Sequence, residues 1–205
     1  MATLTPSKIV CVGRNYVAHA KELGNDVPKE PLIFLKPPSS LIRSGESIRL
    51  PTASKRVEYE GESGVVLGAR LHKASGDEAL RAVAGILAAN DVTARDLQKS
   101  DSQWTRAKGF DTFCAVGDVG KPPADLASLS VTTRVNGEVR QQGRGTEMVF
   151  DIPTVLVYIS AVMTLEPGDL VLTGTPEGVG TLAAGDVVEV EIAGVSRVSN
   201  PVTSD

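Results

Sequence analysis

Glu58, Glu60 and Glu62 recur at every second position of the stretch Val57 to Gly68, Val-Glu-Tyr-Glu-Gly-Glu-Ser-Gly-Val-Val-Leu-Gly. Its β-branched residues and the bracketing Pro51 and Gly68 predict an extended strand, whose period-2 alternation puts all three carboxylates on one face. Neighbouring carboxylates repel, so burying that face beside Val65, Val66 and Leu67 requires an opposite charge. A hard divalent cation would supply it. Gly61 and Gly64 let a ligand or a second backbone approach closely. An acidic, solvated edge strand fits the same residues, and the stretch taken alone slightly favours it.

His19 and Glu22 stand three residues apart in a short helix-forming segment, Val17 to Leu23, followed by the stop signal Gly24-Asn25. That spacing lets a carboxylate orient an imidazole and raise its basicity, as in a general-base dyad, and is equally met by an exposed surface pair. Asp91 closes an apolar segment, where a carboxylate needs a partner. Arg95 and Gln98 share a predicted helical turn within Thr93 to Ser100, and Arg106 and Lys108 stand beside the only tryptophan, Trp104. A cation–aromatic surface cluster is the plainer reading of that last group. His72 reads as a surface residue in a turn. The loop Gly174-Thr-Pro-Glu-Gly-Val-Gly180 follows a strand and can present backbone N–H groups to an anion, but no Lys-Ser/Thr follows and dinucleotide spacing is missing, which excludes nucleotide binding.

The elements that must position these groups are mostly strands. Lys8 to Gly13 is a buried strand that delivers Arg14, Asn15 and Tyr16 to its end. Pro31 to Pro37 is a second strand, with Lys36 at its end, and Pro38 to Arg56 reads as loop apart from a short strand at Ser47 to Leu50. Leu80, Val83, Ala84 and Leu87 fit a helical template, but Gly85 interrupts it. A helix capped by Asp77 and running to about Ala82, then a strand over Ala84 to Val92, is the reading adopted. Leu129 to Gln142 predicts a hairpin about Asn136-Gly137, and Val187 to Val202 another about Ala193-Gly194. Asp151 to Met163 is the clearest helix, with Asp151 as N-cap and Pro153 in the first turn. Asp169 to Thr173 is a strand. The fold class is strand-dominated α+β.

At 205 residues, 41% hydrophobic and 22% charged, the chain fits one domain over 1–205 with a substantial core. A formal net charge of -4 without a basic run argues against nucleic-acid or anionic-membrane partners. Cys11 and Cys114 lack zinc-type spacing and read as buried thiols of a reducing compartment, and no apolar run is long enough to span a bilayer, so a cytoplasmic location is expected.

Taken together, Gly13-Arg-Asn-Tyr-Val-Ala-His19-Ala-Lys-Glu22, Phe34-Leu-Lys-Pro37, Glu60-Gly-Glu62, Asn90-Asp-Val-Thr-Ala-Arg-Asp96, Trp104-Thr-Arg-Ala-Lys108-Gly-Phe-Asp111 and Gly174 to Gly180 resemble the fumarylacetoacetate hydrolase family, in its short acylpyruvate hydrolase and oxaloacetate decarboxylase branch. The resemblance implies a mixed β-roll or β-sandwich, commonly a homodimer. It implies that Glu60, Glu62 and Asp91 bind one Mg²⁺ or Mn²⁺, with Glu58 outside the ligand set. His19 and Glu22 match a water-activating dyad on a short lid helix within residues 1–30. Lys108 matches a catalytic lysine beside the metal, and Arg14, Tyr16, Arg95, Gln98 and Thr175 are assigned to substrate binding. Ser63 departs from the leucine of many relatives. The lack of an extra N-terminal domain makes fumarylacetoacetate itself a poor substrate.

The expected reaction is cleavage of a small acylpyruvate-type β-diketo acid through a pyruvate enolate. Decarboxylation of oxaloacetate or isomerisation of a 2-hydroxy-dienoate would use the same α-keto acid site. A non-catalytic metabolite-binding β-roll is the remaining alternative.

Overall fold

The computed structural model describes residues 4–22, 24 and 26–205. In chain order its elements begin with β1 (Ile9–Gly13), α1 (Val17–Glu22), β2 (Leu32–Lys36), β3 (Leu41–Arg43), β4 (Ile48–Leu50), β5 (Val57–Tyr59) and β6 (Gly61–Leu67). The middle of the chain forms α2 (Gly76–Ala82), β7 (Val83–Asp91), β8 (Thr93–Ala94), α3 (Arg95–Ser100), α4 (Thr105–Lys108) and β9 (Cys114–Val116). There follow β10 (Ser130–Val135), β11 (Glu138–Arg144), α5 (Ile152–Val162), β12 (Leu170–Leu172), β13 (Gly180–Thr181), β14 (Val187–Ile192) and β15 (Ser196–Ser204). The expected helix end at Leu23 and stop at Asn25 lie outside the described residues.

A mixed seven-stranded sheet has the order β2-β1-β12-β6-β7-β9-β3, and a five-stranded one the order β11-β10-β14-β15-β4. A third, small sheet joins β13, β5 and β8. The first two pack face to face through one core that includes Val65, Leu67, Ile86 and Ala88 of the large sheet and Val131, Val188, Val190 and Val198 of the smaller. The large sheet's other face carries a second apolar cluster, with Ile9, Cys11, Val66, Leu87, Cys114 and Leu172. Strand β6 is therefore buried on both sides along its whole length, which overturns the reading of its acidic stretch as a solvated edge. The stretch is also not one strand, because it breaks at Glu60 between β5 and β6.

Strand directions bring four chain segments to one end of the large sheet. β1 runs parallel to β12, β6 antiparallel to β12, and β7 antiparallel to β6. The C-terminal ends of β1, β12 and β7 and the N-terminal end of β6 thus converge, carrying Arg14, Thr175, Asp91 and Glu62. The sheet also curls: Lys36 on the edge strand β2 bonds Asp91 on β7, four places away in the strand order.

Local signals explain most boundaries. Asn136 and Gly137 adopt φ 54° and 83°, the left-handed pair that a two-residue hairpin turn requires. The Asp151 side chain accepts the Thr154 amide and starts α5. Helix α2 begins two residues earlier than expected, because Ser75 rather than Asp77 is its N-cap, in a reciprocal capping box with Glu78. The segment read as loop after Pro38 contains β3, paired in parallel with β9.

Candidate active site

The carboxylates are placed by register. Gly61 pairs with Asn90 across β6 and β7, and the Asp91 amide donates to the Glu60 carbonyl at 2.8 Å, so Asp91 lies beside the Glu60-Gly-Glu62 segment. One carboxylate oxygen from each of Glu60, Glu62 and Asp91 falls within 4.8 Å of the others, and all three residues are buried. Glu58 is turned away. It accepts Arg95 Nε at 2.7 Å and, from the surface, Arg56 Nε at 2.6 Å.

Three buried cations answer this charge. Lys108 Nζ donates to Glu60 Oε2 and Asp91 Oδ2, both at 2.7 Å. Arg95 Nη2 bonds Glu60 Oε1, and its Nη1 donates to Gln98 Oε1 at 2.6 Å. Lys36 Nζ donates to Asp91 Oδ1 at 2.5 Å and to the Val92 carbonyl at 3.1 Å. Burial pushes the Glu60 carboxyl up, but Lys108 and Arg95 outweigh it and hold the group well below the usual carboxylate range. Burial disfavours the Lys108 ammonium, and Asp91 and Glu60 more than compensate, raising its pKa. Lys108 is accordingly no surface cation–aromatic partner of Trp104. Its Nζ lies 4.9 Å from the centroid of Phe34 inside the site. Arg106 alone is exposed, paired with Asp101.

Glu62 is the exception. Its Oε2 accepts the Gly174 amide at 2.7 Å, and among the described residues no cationic side chain pairs with it. Burial, then Asp91 and Glu60, push its carboxyl well above the ordinary range. Lys36, Arg95 and Lys108 pair with Asp91, Glu58 and Glu60, and Glu58 also takes Arg56 from the surface, so Glu62 is the carboxylate of the cluster left without a cationic partner among the described residues. An oxygen-only donor set with an uncompensated carboxylate fits a hard divalent cation such as Mg²⁺ or Mn²⁺.

Opposite the carboxylates, α1 presents His19, whose Nδ1 is 3.1 Å from Glu22 Oε2. Glu22 Oε1 accepts the Gly178 amide at 3.0 Å, which ties α1 to the glycine-rich loop. Asn15 anchors the base of the helix, donating to the Phe150 and Thr173 carbonyls and accepting the Phe150 amide. Between these walls is a cavity of about 50 Å³, bordered by Arg14, His19, Glu60, Glu62, Lys108 and Thr175, with Phe34 and Trp104 as its aromatic side and Arg95 and Gln98 at its margin.

The sequence-derived candidates therefore meet in one place, with Asp91 and Glu22 directly behind the lining residues. Tyr16 does not. It bridges to Met148 and lies in a separate groove with Val17, Gln142 and Glu147, because Arg14 turns the chain with a left-handed φ of 59° just before it. Arg95 is buried in bonds to Glu58, Glu60 and Gln98, so its first role here is to hold carboxylates. Sequence reasoning gave Lys36 no role, although a lysine ending an apolar strand is a signal. It also passed over Gln141, an inward position on the alternating strand β11.

A model of the fumarylacetoacetate (FAA) hydrolase C-terminal family matches residues 8–203. The chain belongs to the fumarylacetoacetate hydrolase family. A mitochondrial oxaloacetate tautomerase of Arabidopsis thaliana is 45% identical to it over 199 residues, covering 94% of this chain and 89% of that protein. A mitochondrial oxaloacetate decarboxylase of Dictyostelium discoideum is 44% identical over 198 residues, 93% and 91% of the two chains. A crystal structure named 5-carboxymethyl-2-hydroxymuconate delta-isomerase, from Mycobacterium smegmatis, superposes with a TM-score of 0.92 at 42% identity, covering 100% of this chain and 81% of that one. The strand-dominated α+β architecture is that of this family, and the chain is one of its enzymes. No helix among the described residues is long and apolar enough to cross a membrane.

Proposed function

We propose that this fumarylacetoacetate hydrolase family enzyme acts on a small 2-oxo dicarboxylic acid of the oxaloacetate kind, moving the C3 proton that interconverts its keto and enol forms; loss of the C4 carboxylate as CO₂ from the keto form, which leaves the pyruvate enolate, is the related reaction that the same groups support. Arg14 carries this reading. It lines the cavity, has no hydrogen bond or ion pair among the described residues, and holds a left-handed φ of 59° that few non-glycine residues adopt. A guanidinium without a partner beside a cavity matches a ligand carboxylate. An acetylpyruvate tail would leave Arg14 unmatched. The relatives named for oxaloacetate add independent support.

A divalent cation at the carboxylate cluster would supply Lewis acidity toward the carboxylate and 2-oxo oxygens of the substrate. The chain's own groups do the rest. Arg14 holds the distal carboxylate and fixes C3 between the walls. The carboxylate of Glu22 keeps the proton on His19 Nδ1, leaving Nε2 as the base that takes the C3 proton and can return it. Lys108 spends two of its three N–H donors on Glu60 and Asp91, and the third is available to charge developing on the substrate oxygen. Phe34 and Trp104 keep water from one side of the cavity.

Hydrolysis of an acylpyruvate is the second reading, favoured by the His19–Glu22 pair itself, since an oriented imidazole activates water as readily as it takes a carbon-bound proton. One experiment separates the two. Protein stripped with a chelator is assayed for decay of oxaloacetate enol absorbance and for pyruvate release from acetylpyruvate, with and without Mg²⁺ or Mn²⁺. The expected outcome is cation-dependent turnover of oxaloacetate, with Arg14→Gln raising its KM by about tenfold or more, the loss of one charge-assisted contact. Oxaloacetate turnover no faster than with the cation alone, alongside pyruvate release from acetylpyruvate that His19→Ala abolishes, would replace this reading with the hydrolytic one.

A further inference from the structure

Gln141 on β11 is buried and touches both sides of the site through one amide. Its Oε1 accepts the Gly61 amide at 3.0 Å, and its Nε2 donates to Thr175 Oγ1 and to the Pro176 carbonyl, both at 2.8 Å. The orientation of this amide is forced: a backbone N–H can only donate and a carbonyl can only accept, so oxygen must face Gly61 and nitrogen must face Pro176. Thr175 Oγ1 therefore accepts from Nε2. Its single proton goes to the Gly61 carbonyl at 2.9 Å, closing a ring of three hydrogen bonds through Gly61, Gln141 and Thr175.

Two consequences follow for the cavity that Thr175 lines. Gly61, the residue between Glu60 and Glu62, is gripped at both its N–H and its C=O, which fixes the spacing of the two carboxylates. The Thr175 hydroxyl, with its proton committed and one lone pair taken, has only a lone pair left to offer a ligand.

We propose that Gln141 is a positioning residue that makes Thr175 a hydrogen-bond acceptor toward the cavity, so that the site selects a ligand carrying a hydroxyl there, the enol or 2-hydroxy form of the acid over the keto form. This rests on the cavity being the ligand site proposed above, and it adds which tautomer that site prefers. A hydroxyl donates to Thr175, whereas a keto oxygen meets a lone pair.

The test reads binding rather than turnover. Calorimetric affinities for malate and for 2-fluorosuccinate are measured on the protein supplied with Mn²⁺; fluorine replaces the hydroxyl at similar size and cannot donate. Native protein should prefer malate. Thr175→Val should shrink that preference by about fivefold, the weight of one neutral hydrogen bond, and Thr175→Ser should keep it. Gln141→Met should shrink it too, by releasing the Thr175 hydroxyl to rotate and donate. A purely structural role for Gln141 weakens both ligands alike and leaves their ratio unchanged. If Gln141→Met fails to fold, the Val and Ser pair still decides. Equal affinities in native protein, or a preference untouched by Thr175→Val, would overturn the proposal. Failure of the oxaloacetate assignment would appear only in the turnover assay, and leaves this ratio as it is.

Discussion

Glu60 and Glu62 are two residues apart and equally buried, yet their surroundings give them opposite energetics. Glu60 is held by Arg95 and Lys108, so replacing it with glutamine takes from each of these buried cations one of its two carboxylate partners. Breaking a buried pair from one side costs about 3–5 kcal/mol, and Glu60→Gln should lower Tm by roughly 10 °C or more. Glu62 has no cation, and Glu62→Gln in cation-stripped protein should raise Tm by about 2–4 °C while abolishing Mn²⁺ binding. The pH dependence has a defined sign. Burial raises the folded-state pKa of Glu62 above its unfolded value, so the folded state holds more protons and this group's contribution is lost as pH rises from the ordinary glutamate range toward the raised pKa. The Tm advantage of Glu62→Gln over native protein, measured by calorimetry without cation, should therefore grow with pH across that window. A constant or shrinking advantage would mean that another group neutralises Glu62.

At the scale of elements, the site depends on how closely hairpin β10–β11 approaches the start of β6. A Cβ at Gly61 would lie 1.9 Å from Thr133 Oγ1 and 3.2 Å from Thr133 Cβ, so this glycine is required for approach and not for a special φ. Gly61→Ala should destabilise by about 1–3 kcal/mol and weaken Mn²⁺ affinity, because the ring through Gln141 and Thr175 opens as the strands part. Thr133→Ala in the same chain should recover part of both losses. A Gly61→Ala protein with native Tm and Mn²⁺ affinity would show that the strands separate without disturbing the carboxylates. Elements whose causes are local were legible in the sequence: the Asn136-Gly137 hairpin, α5 behind its Asp151 cap, and the switch from α2 to β7 near Ala82. What was not legible has distant partners. Lys36 and Lys108 are buried because Asp91 and Glu60 wait for them, and nothing near either lysine encodes that. The double-sided burial of β6 likewise follows from its place fourth in seven strands, which its own glutamates contradict. Arg14 and Tyr16 shared a motif, but only the turn at Arg14 shows that one faces the cavity and the other does not.

For the molecule as a whole, the carboxylate cluster is a joint among segments far apart in sequence. Glu60 and Glu62 flank the start of β6, Asp91 ends β7, and Lys36, Arg95 and Lys108 come from β2, α3 and α4. The β12 loop supplies the Gly174 amide, and α1 closes over the cavity through Glu22 and Gly178. A cation bound at this joint interacts with the folded arrangement alone, because an unfolded chain does not bring Asp91 to Glu60 and Glu62. Binding then becomes stability: at a concentration one hundred times its Kd, a ligand specific for the folded state adds about 2.7 kcal/mol. For a chain of this size that is roughly 5–10 °C in Tm. Titrating Mn²⁺ or Mg²⁺ into chelator-stripped protein at neutral pH should produce a rise of that order that keeps climbing with the logarithm of concentration. Glu62→Gln should start higher and stay flat, so that the two curves cross. The rise should weaken at acid pH, where the raised pKa of Glu62 makes cation and proton compete for the same oxygens. A rise of equal size in Glu62→Gln would place the cation elsewhere on this acidic chain.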